Sequence, residues 1–180
     1  MAGYKKYLYL VVLGGRIRKA NIELHDVRWV IGSNIQDTFD DLRKNWFGSI
    51  IGLHIDSYKK VHTIDGYRIN LKNLEREKKL STSKELATKK YLWFVNIGGY
   101  NQTSMQEIHE FGLIVASKAQ EAVNKAKSKW LNGCKKKHKD DCQLIECIDD
   151  WAIELIPEQG SFEEKDYPDW NGYMRIDKYN

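Results

Sequence analysis

The segment Leu13–Trp29, LGGRIRKANIELHDVRW, joins an apolar run to an alternating one and holds many of the polar groups that could form a site. A weaker copy, Ile97–Leu113 (IGGYNQTSMQEIHEFGL), lies 84 residues downstream. Both copies keep a Gly-Gly pair and a Glu-x-His triplet. Similarity at a fixed separation within one chain indicates a duplicated structural unit.

The duplication extends well beyond this segment. When Lys5–Leu71 is aligned on Lys89–Leu155 without a gap, 18 of 67 positions are identical. Chance at ordinary composition would give roughly 4 identities. We therefore predict two tandem copies of one folding unit. The identities include the pairs Glu23/Glu107, His25/His109, His54/His138 and Asp56/Asp140.

Periodicity predicts that each unit begins with two strands and a helix. Tyr7–Leu13 is a continuous apolar run, typical of a buried strand, and it ends at a Gly-Gly pair. Glu23–Ile31 alternates, which places His25 on one face of a second strand. Ser33–Gln36 and Ser117–Gln120 then fit the capping box of a helix start, and apolar residues follow at helical spacing.

The remainder of each unit is predicted to be a hairpin. In the first copy, Gly52–Thr63 and Tyr67–Leu71 flank an Asp-Gly turn. Cys142–Cys147 and Trp151–Ile156 repeat the pattern. The prediction is an α+β fold of two β-β-α-β-β repeats related by a pseudo-two-fold, with mostly antiparallel sheets and one helix per repeat. Their sheets either join into one surface or pack through the helices.

Composition sets the domain boundaries. We assign the repeats to residues 1–72 and 89–156, separated by a charged linker at 73–88. The tail, 157–180, matches nothing in the first repeat, and Gly172–Asp177 within it is a candidate edge strand.

Bulk properties restrict the partners. The 180 residues are 42% hydrophobic and 30% charged, as in soluble globular proteins. The net charge of +4 is mild, so we expect no nucleic-acid partner. The alternative is a nucleic-acid contact through the basic run Lys135–Lys139. No apolar run approaches the ~18 residues of a membrane span, so we expect no membrane partner. A homo-oligomer is left open.

The cysteines point to a reducing compartment. Cys134, Cys142 and Cys147 are odd in number and lack C-x-x-C spacing, which favours free thiols. Lys5-Lys6 before an apolar run imitates a secretory signal, but the same form recurs in mid-chain at Lys89–Ile97. We therefore expect a strand at this position and a cytoplasmic protein.

The first repeat carries five short motifs: GGR at Gly14–Arg16, ANIELHDVR at Ala20–Arg28, WFG at Trp46–Gly48, LHIDS at Leu53–Ser57 and DGY at Asp65–Tyr67. In these motifs it resembles a bacterial family known as domain of unknown function 1543. The resemblance covers essentially this whole repeat, and the second repeat is similar to a degenerate copy. There, Tyr100, Glu110 and Gly112 replace three charged residues of the first repeat. The resemblance implies no activity, because the function of the family is unassigned.

Two short polar patterns suggest a pocket. Glu23 and His25 share a strand face, as do His54 and Asp56 on a later strand. If the strands are neighbours, the four groups could bind an anion, perform acid–base chemistry or hold a divalent metal. The structural alternative is that Glu23 and His25 fasten the loop Gly15–Ile22 by hydrogen bonds.

From these observations we predict small-molecule or anion binding at the Gly14–Arg28 loop, whose glycines could form an anion-cradling turn or only a tight bend. We predict no metal and no cofactor, because no HExxH or cysteine-pair spacing is present. The alternatives are an interaction scaffold without a ligand, and a hydrolase-type enzyme that uses His25 with Glu23 or Asp26 as acid and base. The candidate ligand-binding residues are Arg16, Asn21, Glu23, His25, Asp26, Arg28, His54 and Asp56.

Overall fold

A computed structural model describes residues 5–77, 89–158 and 167–178, and it confirms two tandem β-β-α-β-β repeats in an α+β fold. The first repeat comprises β1 (Tyr7–Gly15), β2 (Leu24–Gly32), a 3₁₀ turn (Gln36–Thr38), α1 (Phe39–Asn45), β3 (His54–Val61), β4 (Thr63–Ile64) and β5 (Tyr67–Asn73). A short helix, α2 (Leu74–Glu77), follows. The second comprises β6 (Tyr91–Tyr100), β7 (Ile108–Ala116), α3 (Ala119–Lys129), β8 (Lys135–Ile145), β9 (Cys147–Ile148) and β10 (Trp151–Pro157), and the tail adds β11 (Trp170–Arg175).

The compact units of the structure do not coincide with the repeats. Within the described residues, the first unit comprises Met1–His62 and Glu163–Asn180, and the second comprises Thr63–Phe162. The hairpin of the first repeat thus belongs to the second unit, and the C-terminal tail belongs to the first.

In the first unit, the four strands follow the order β11-β3-β1-β2. Alternate residues of β1 (Tyr9, Val11 and Leu13) pack with Leu42 and Trp46 in a buried core. The strand predicted in the tail is present, and it pairs with β3 at the sheet edge. It covers one side of β3, which would otherwise be an open edge.

In the second unit, β6 lies between β7 and β8, and α3 packs on the sheet through Ala122, Val123 and Ala126. The lysine-rich run expected to be a possible contact loop instead begins β8. Lys137 Nζ donates hydrogen bonds to the carbonyl oxygens of Lys127 and Trp130, at 3.1 and 2.7 Å. A cation at this position complements the C-terminal end of α3.

A further sheet in the second unit has the order β4-β5-β10-β9. Equivalent hairpins of the two repeats therefore meet symmetrically, which confirms the pseudo-two-fold within this sheet. Asn70 and Glu154, which are equivalent positions, face each other, and Asn70 Nδ2 donates to Glu154 Oε2 at 2.8 Å.

The hairpin prediction was wrong about the long strand that precedes the turn. β3 pairs with β1, and only the short β4, after a break at His62, pairs with β5. The break lets the chain change sheets between β3 and β4. The Asp-Gly turn itself is present, with positive φ at Asp65 (49°) and Gly66 (79°), as a tight primed turn requires.

The two helix starts use a different acceptor from the one predicted. The N-cap residues are Ile35 and Lys118 and not the serines, and neither makes a side-chain cap hydrogen bond. Instead, the backbone N–H of Ser33 donates to Asp37 Oδ2 at 3.0 Å, and that of Ser117 donates to Glu121 Oε2 at 2.9 Å. The carboxylate one residue beyond each glutamine is the stronger acceptor, so it displaces the amide.

The predicted linker is partly within the described residues. Its first residue, Asn73, ends β5, and α2 supplies one helical turn, while 78–88 lie outside the described residues. Among the helices of the described ranges, none has the length and apolar character required to cross a membrane.

Candidate functional site

The site is built around a glycine in the middle of three strands. On β1, Gly14 lies directly opposite His25 of β2 and His54 of β3. A Cβ atom at this position would lie 2.5 Å from His54 Nε2 and 3.0 Å from Asp56 Oδ2. The absence of a side chain at Gly14 therefore lets the neighbouring side chains converge above the strand.

The prediction of a glycine turn was wrong, because Gly14 and Gly15 are both part of β1. Gly15 makes room on the opposite face, where an added Cβ would lie 2.8 Å from the ring of Trp46. The pair therefore accommodates a polar cluster on one face of the sheet and a core indole on the other.

Four side chains converge above Gly14, and we call Glu23, His25, His54 and Asp56 the first cluster. The Nε2 atoms of His25 and His54 each lie 3.1 Å from a carboxylate oxygen of Asp56. Glu23 Oε1 lies 3.7 Å from Nε2 of His25 and 3.8 Å from Nε2 of His54. The register between β1 and β3 shifts beside Asp56, and such a bulge redirects a side chain.

His54 is the most constrained member, with 1% of its surface exposed. Its Nδ1 lies 2.8 Å from the carbonyl oxygen of Gly52. Because a carbonyl can only accept, this contact favours the tautomer of His54 that carries its proton on Nδ1 and presents a lone pair at Nε2. This buried Nε2 has no hydrogen-bond partner among the described residues. The ring of Tyr173, on β11, covers the imidazole at a centroid distance of 4.0 Å.

The remaining candidates lie elsewhere. Asp26 and Arg28 form an ion pair of 2.6 Å on the core face of β2, and Arg28 Nη2 donates to the carbonyl oxygen of Asn45, at the end of α1, at 3.1 Å. Arg16 and Asn21 are exposed in the loop between β1 and β2. The structure thus brings together four of the eight candidates, and the other four lie outside the cluster.

The second repeat contains an equivalent arrangement, the second cluster, which consists of Glu107, His109, His138 and Asp140. Gly98 lies opposite both histidines, and its added Cβ would lie 2.5 Å from Glu107 Oε1. The Nε2 atoms of His109 and His138 lie 3.2 and 3.1 Å from oxygens of Asp140. The sequence shows these identities, but no site was predicted from them, although the complete repetition of four ligand-type residues was the available signal.

The environment of the second cluster is more open. His138 is 42% exposed, and its Nδ1 lies 3.0 Å from the carbonyl oxygen of Lys136, a contact that raises the pKa of His138. The ring of Tyr100, which stands at the position of Arg16, stacks on His138 at 5.9 Å. The negative charge of Glu107 raises the pKa of Tyr100. This effect reflects a local excess of negative charge.

The histidine–carboxylate distances of the first cluster, and the donor spacing of three residues of the second, fall near the ligand spacings around one cation. Ligands about 2.1 Å from one ion are about 3.4 Å apart in a tetrahedron and about 3.0 Å apart in an octahedron. In the first cluster, the four histidine–carboxylate distances range from 3.1 to 3.8 Å. In the second cluster, single donor atoms of Glu107, His138 and Asp140 all lie within 4.8 Å of one another.

Fold and site together define a class: a duplicated α+β protein in which each repeat holds a two-histidine, two-carboxylate cluster above a strand glycine. The chain belongs to the family described as Domain of Unknown Function (DUF1543), whose model matches residues 20–71 and 104–155. This confirms the resemblance and the duplication.

The crystal structure of the protein Il1583 from Idiomarina loihiensis is similar to this chain. The two share 31% sequence identity, with a TM-score of 0.71, over 96% of this chain and 99% of the other. The comparison with curated proteins gave no match.

Proposed function

We propose that the first cluster binds a divalent transition-metal ion. The observation that carries the proposal is the buried Nε2 of His54, which holds its lone pair toward Asp56 without a hydrogen bond. A buried polar atom left without a partner is costly, and a metal ion would remove that cost. The hydrogen bond from the other ring nitrogen to a backbone carbonyl is the usual support of a metal-bound histidine.

The charge of the cluster favours a cation over the anion expected from the sequence. The two carboxylates of Glu23 and Asp56 carry a formal charge of about −2, which a divalent ion would neutralise and an anion would oppose. We therefore expect the small-molecule or anionic ligand predicted from the sequence to coordinate the metal from its exposed side. His25, with 52% of its side chain exposed, lies at that side.

The donor types indicate which ions to test. Two imidazole nitrogens with carboxylate oxygens suit zinc, iron, cobalt or nickel, whereas magnesium and calcium prefer all-oxygen sites. No cysteine belongs to the cluster, so soft ions that require thiolate are disfavoured.

The test is a titration of the metal-free protein with Zn²⁺, followed by calorimetry and by metal analysis after gel filtration. We expect His25→Ala to bind one ion fewer than the wild type. This side chain is half exposed, so its removal should not prevent folding. The control is His62→Ala, because His62 is an exposed histidine outside both clusters. An unchanged zinc content and affinity in His25→Ala would refute the proposal, and a chain that binds no zinc would favour the scaffold alternative.

Hydrolysis is a second candidate function. His25 Nε2 lies 3.1 Å from Asp56 Oδ2 and is open to solvent, which is the geometry of an acid–base pair. A metal bound beside it would also activate water. Assays of nitrophenyl esters and phosphates with the zinc-loaded protein test this hypothesis. Turnover that is abolished in His25→Ala would support the hydrolysis hypothesis. No turnover across a broad panel of substrates would refute it.

We also propose that the protein works in a bacterial cytoplasm. The proposal is supported by the three free cysteines and by the bacterial source of the similar crystal structure.

A further inference from the structure

We propose that the second cluster is a second divalent-metal site, so that each chain binds two ions at independent and unequal sites. This inference rests on the proposed function of the first cluster, but different residues carry it. Of the five histidines in the chain, four belong to the two clusters, and the two in the second cluster are His109 and His138.

Three donors of the second cluster lie close to one point, since single donor atoms of Glu107, His138 and Asp140 are all within 4.8 Å of one another. Glu107 Oε1 lies 2.7 Å from His138 Nε2, and Glu107 Oε2 lies 3.6 Å from His109 Nε2. Both histidines also contact Asp140, at 3.2 and 3.1 Å. Glu107 Oε1 is buried, and neither its contact with His138 Nε2 nor any other contact within the described residues has hydrogen-bond geometry. A cation at this point would satisfy it.

The backbone prepares the second cluster in the same way as the first. The register between β6 and β8 shifts beside Asp140, as it does beside Asp56 in the first repeat. Gly98 leaves the space that a Cβ atom would fill, 2.7 Å from Asp140 Oδ2. The contact with the Lys136 carbonyl favours the tautomer of His138 that carries its proton on Nδ1, which leaves the Nε2 lone pair to bind the ion.

The two sites differ in how they are covered. In the first, Tyr173 lies over a histidine that is 1% exposed. In the second, the equivalent His138 is 42% exposed, and β8 is the edge of its three-stranded sheet. We therefore expect the ion of the second site to exchange about tenfold faster, because an exposed ligand opens more readily to water.

The experiment counts ions. Metal-free wild type, His25→Ala, His109→Ala and the double variant are each titrated with Zn²⁺, and bound zinc is measured after gel filtration. We expect two ions, one, one and none. His25 and His109 occupy equivalent positions and are 52% and 44% exposed, so the two variants are matched in their effect on folding. His62→Ala serves as the control for adventitious histidine binding.

Each outcome decides between the two proposals. If the wild type binds one ion that only His25→Ala removes, the second site is overturned and the first stands. If it binds one ion that only His109→Ala removes, the first proposal fails and the second cluster alone is a metal site. One ion removed by both variants, or no ion at all, overturns the existence of two independent sites. Chelator competition with equal release rates for the two ions would overturn their inequality.

Discussion

The two clusters contain the same four residue types above the same glycine, yet their surroundings differ. The histidine of β3 is buried beneath Tyr173, whereas its equivalent lies on β8, the edge strand of its sheet within the described part of the chain. The difference originates in β11, which pairs with β3 in the first unit. A duplicated sequence thus yields unequal clusters, because a segment outside the duplication covers the first one.

The residues around the clusters show a second contrast. Arg28 reaches the end of α1 in the first repeat, whereas Gly112 at the same position leaves room for Trp130, whose ring would lie 2.9 Å from an added Cβ. The divergence between the copies at this position therefore serves the packing of the core face. The four residues of each cluster, by contrast, are among the positions that remain identical between the copies.

The strongest test of the comparison is to substitute alanine for the glycine beneath each cluster, Gly14 and Gly98. Gly14→Ala should abolish zinc binding in the first cluster and lower the free energy of unfolding by about 1–3 kcal/mol, because the buried His54 cannot move away from the new methyl group. Gly98→Ala should cost less, because its contacts are with carboxylate ends of partly exposed side chains. Denaturant unfolding and zinc titration measure both effects. Equal losses in the two variants would contradict the unequal rigidity of the clusters.

Removal of the aromatic cover should make the first cluster resemble the second. Tyr173→Ala is expected to raise the rate of zinc release from the first cluster about tenfold, because His54 becomes accessible to water. Since Tyr173 is largely exposed, we expect a small change in stability. Chelator competition measures the rate, and Tyr167→Ala, at another exposed tyrosine of the tail, is the control. An unchanged release rate would show that the ring does not protect the site.

The ion pair on the core face should matter for stability alone. Arg28→Ala leaves Asp26 and the carbonyl oxygen of Asn45 without the guanidinium, and we expect a loss of about 1 kcal/mol in the free energy of unfolding. Zinc stoichiometry should stay at the wild-type value. Loss of a bound ion in this variant would show that Arg28 takes part in metal binding. It would contradict the assignment of the ion pair and the cluster to opposite faces of β2.

The smallest effect is expected at the helix starts. Hydrogen bonds from Ser117 lower the pKa of Glu121 from 4.5 to about 2, and a hydrogen bond from Ser33 lowers the pKa of Asp37. A carboxyl group whose pKa is lower in the folded than in the unfolded protein stabilises the fold at pH values above its unfolded pKa. For Glu121, that stability is lost as the pH falls from about 4.5 towards 2. Glu121→Gln should therefore cost a few tenths of a kcal/mol at pH 7.

The cost of Glu121→Gln should vanish near pH 2, and Asp37→Asn should show a weaker form of the same dependence. Thermal unfolding between pH 2 and 7 measures both. A cost for Glu121→Gln that stays constant with pH would exclude the carboxylate as its origin.

The sequence by itself determined the duplication, the family and most of the strands. These features depend on local periodicity and on identities between the copies, which a linear comparison reveals. It also placed His25 with Glu23 and His54 with Asp56, because side chains alternate along a strand. The short turn at Asp65-Gly66 followed from the positive φ angles that such a turn needs.

Only the tertiary structure decided that Gly14 lies within a strand, beneath the side chains of the first cluster, and not in a turn. This depends on which strands lie on either side of β1. The same reason explains why β3 pairs with β1 and not with β5. The register shift that aims Asp56, and the cover of His54 by Tyr173, join residues distant in sequence. Local patterns carry no record of such pairings, so the candidate site became a defined cluster only when the strands were brought side by side.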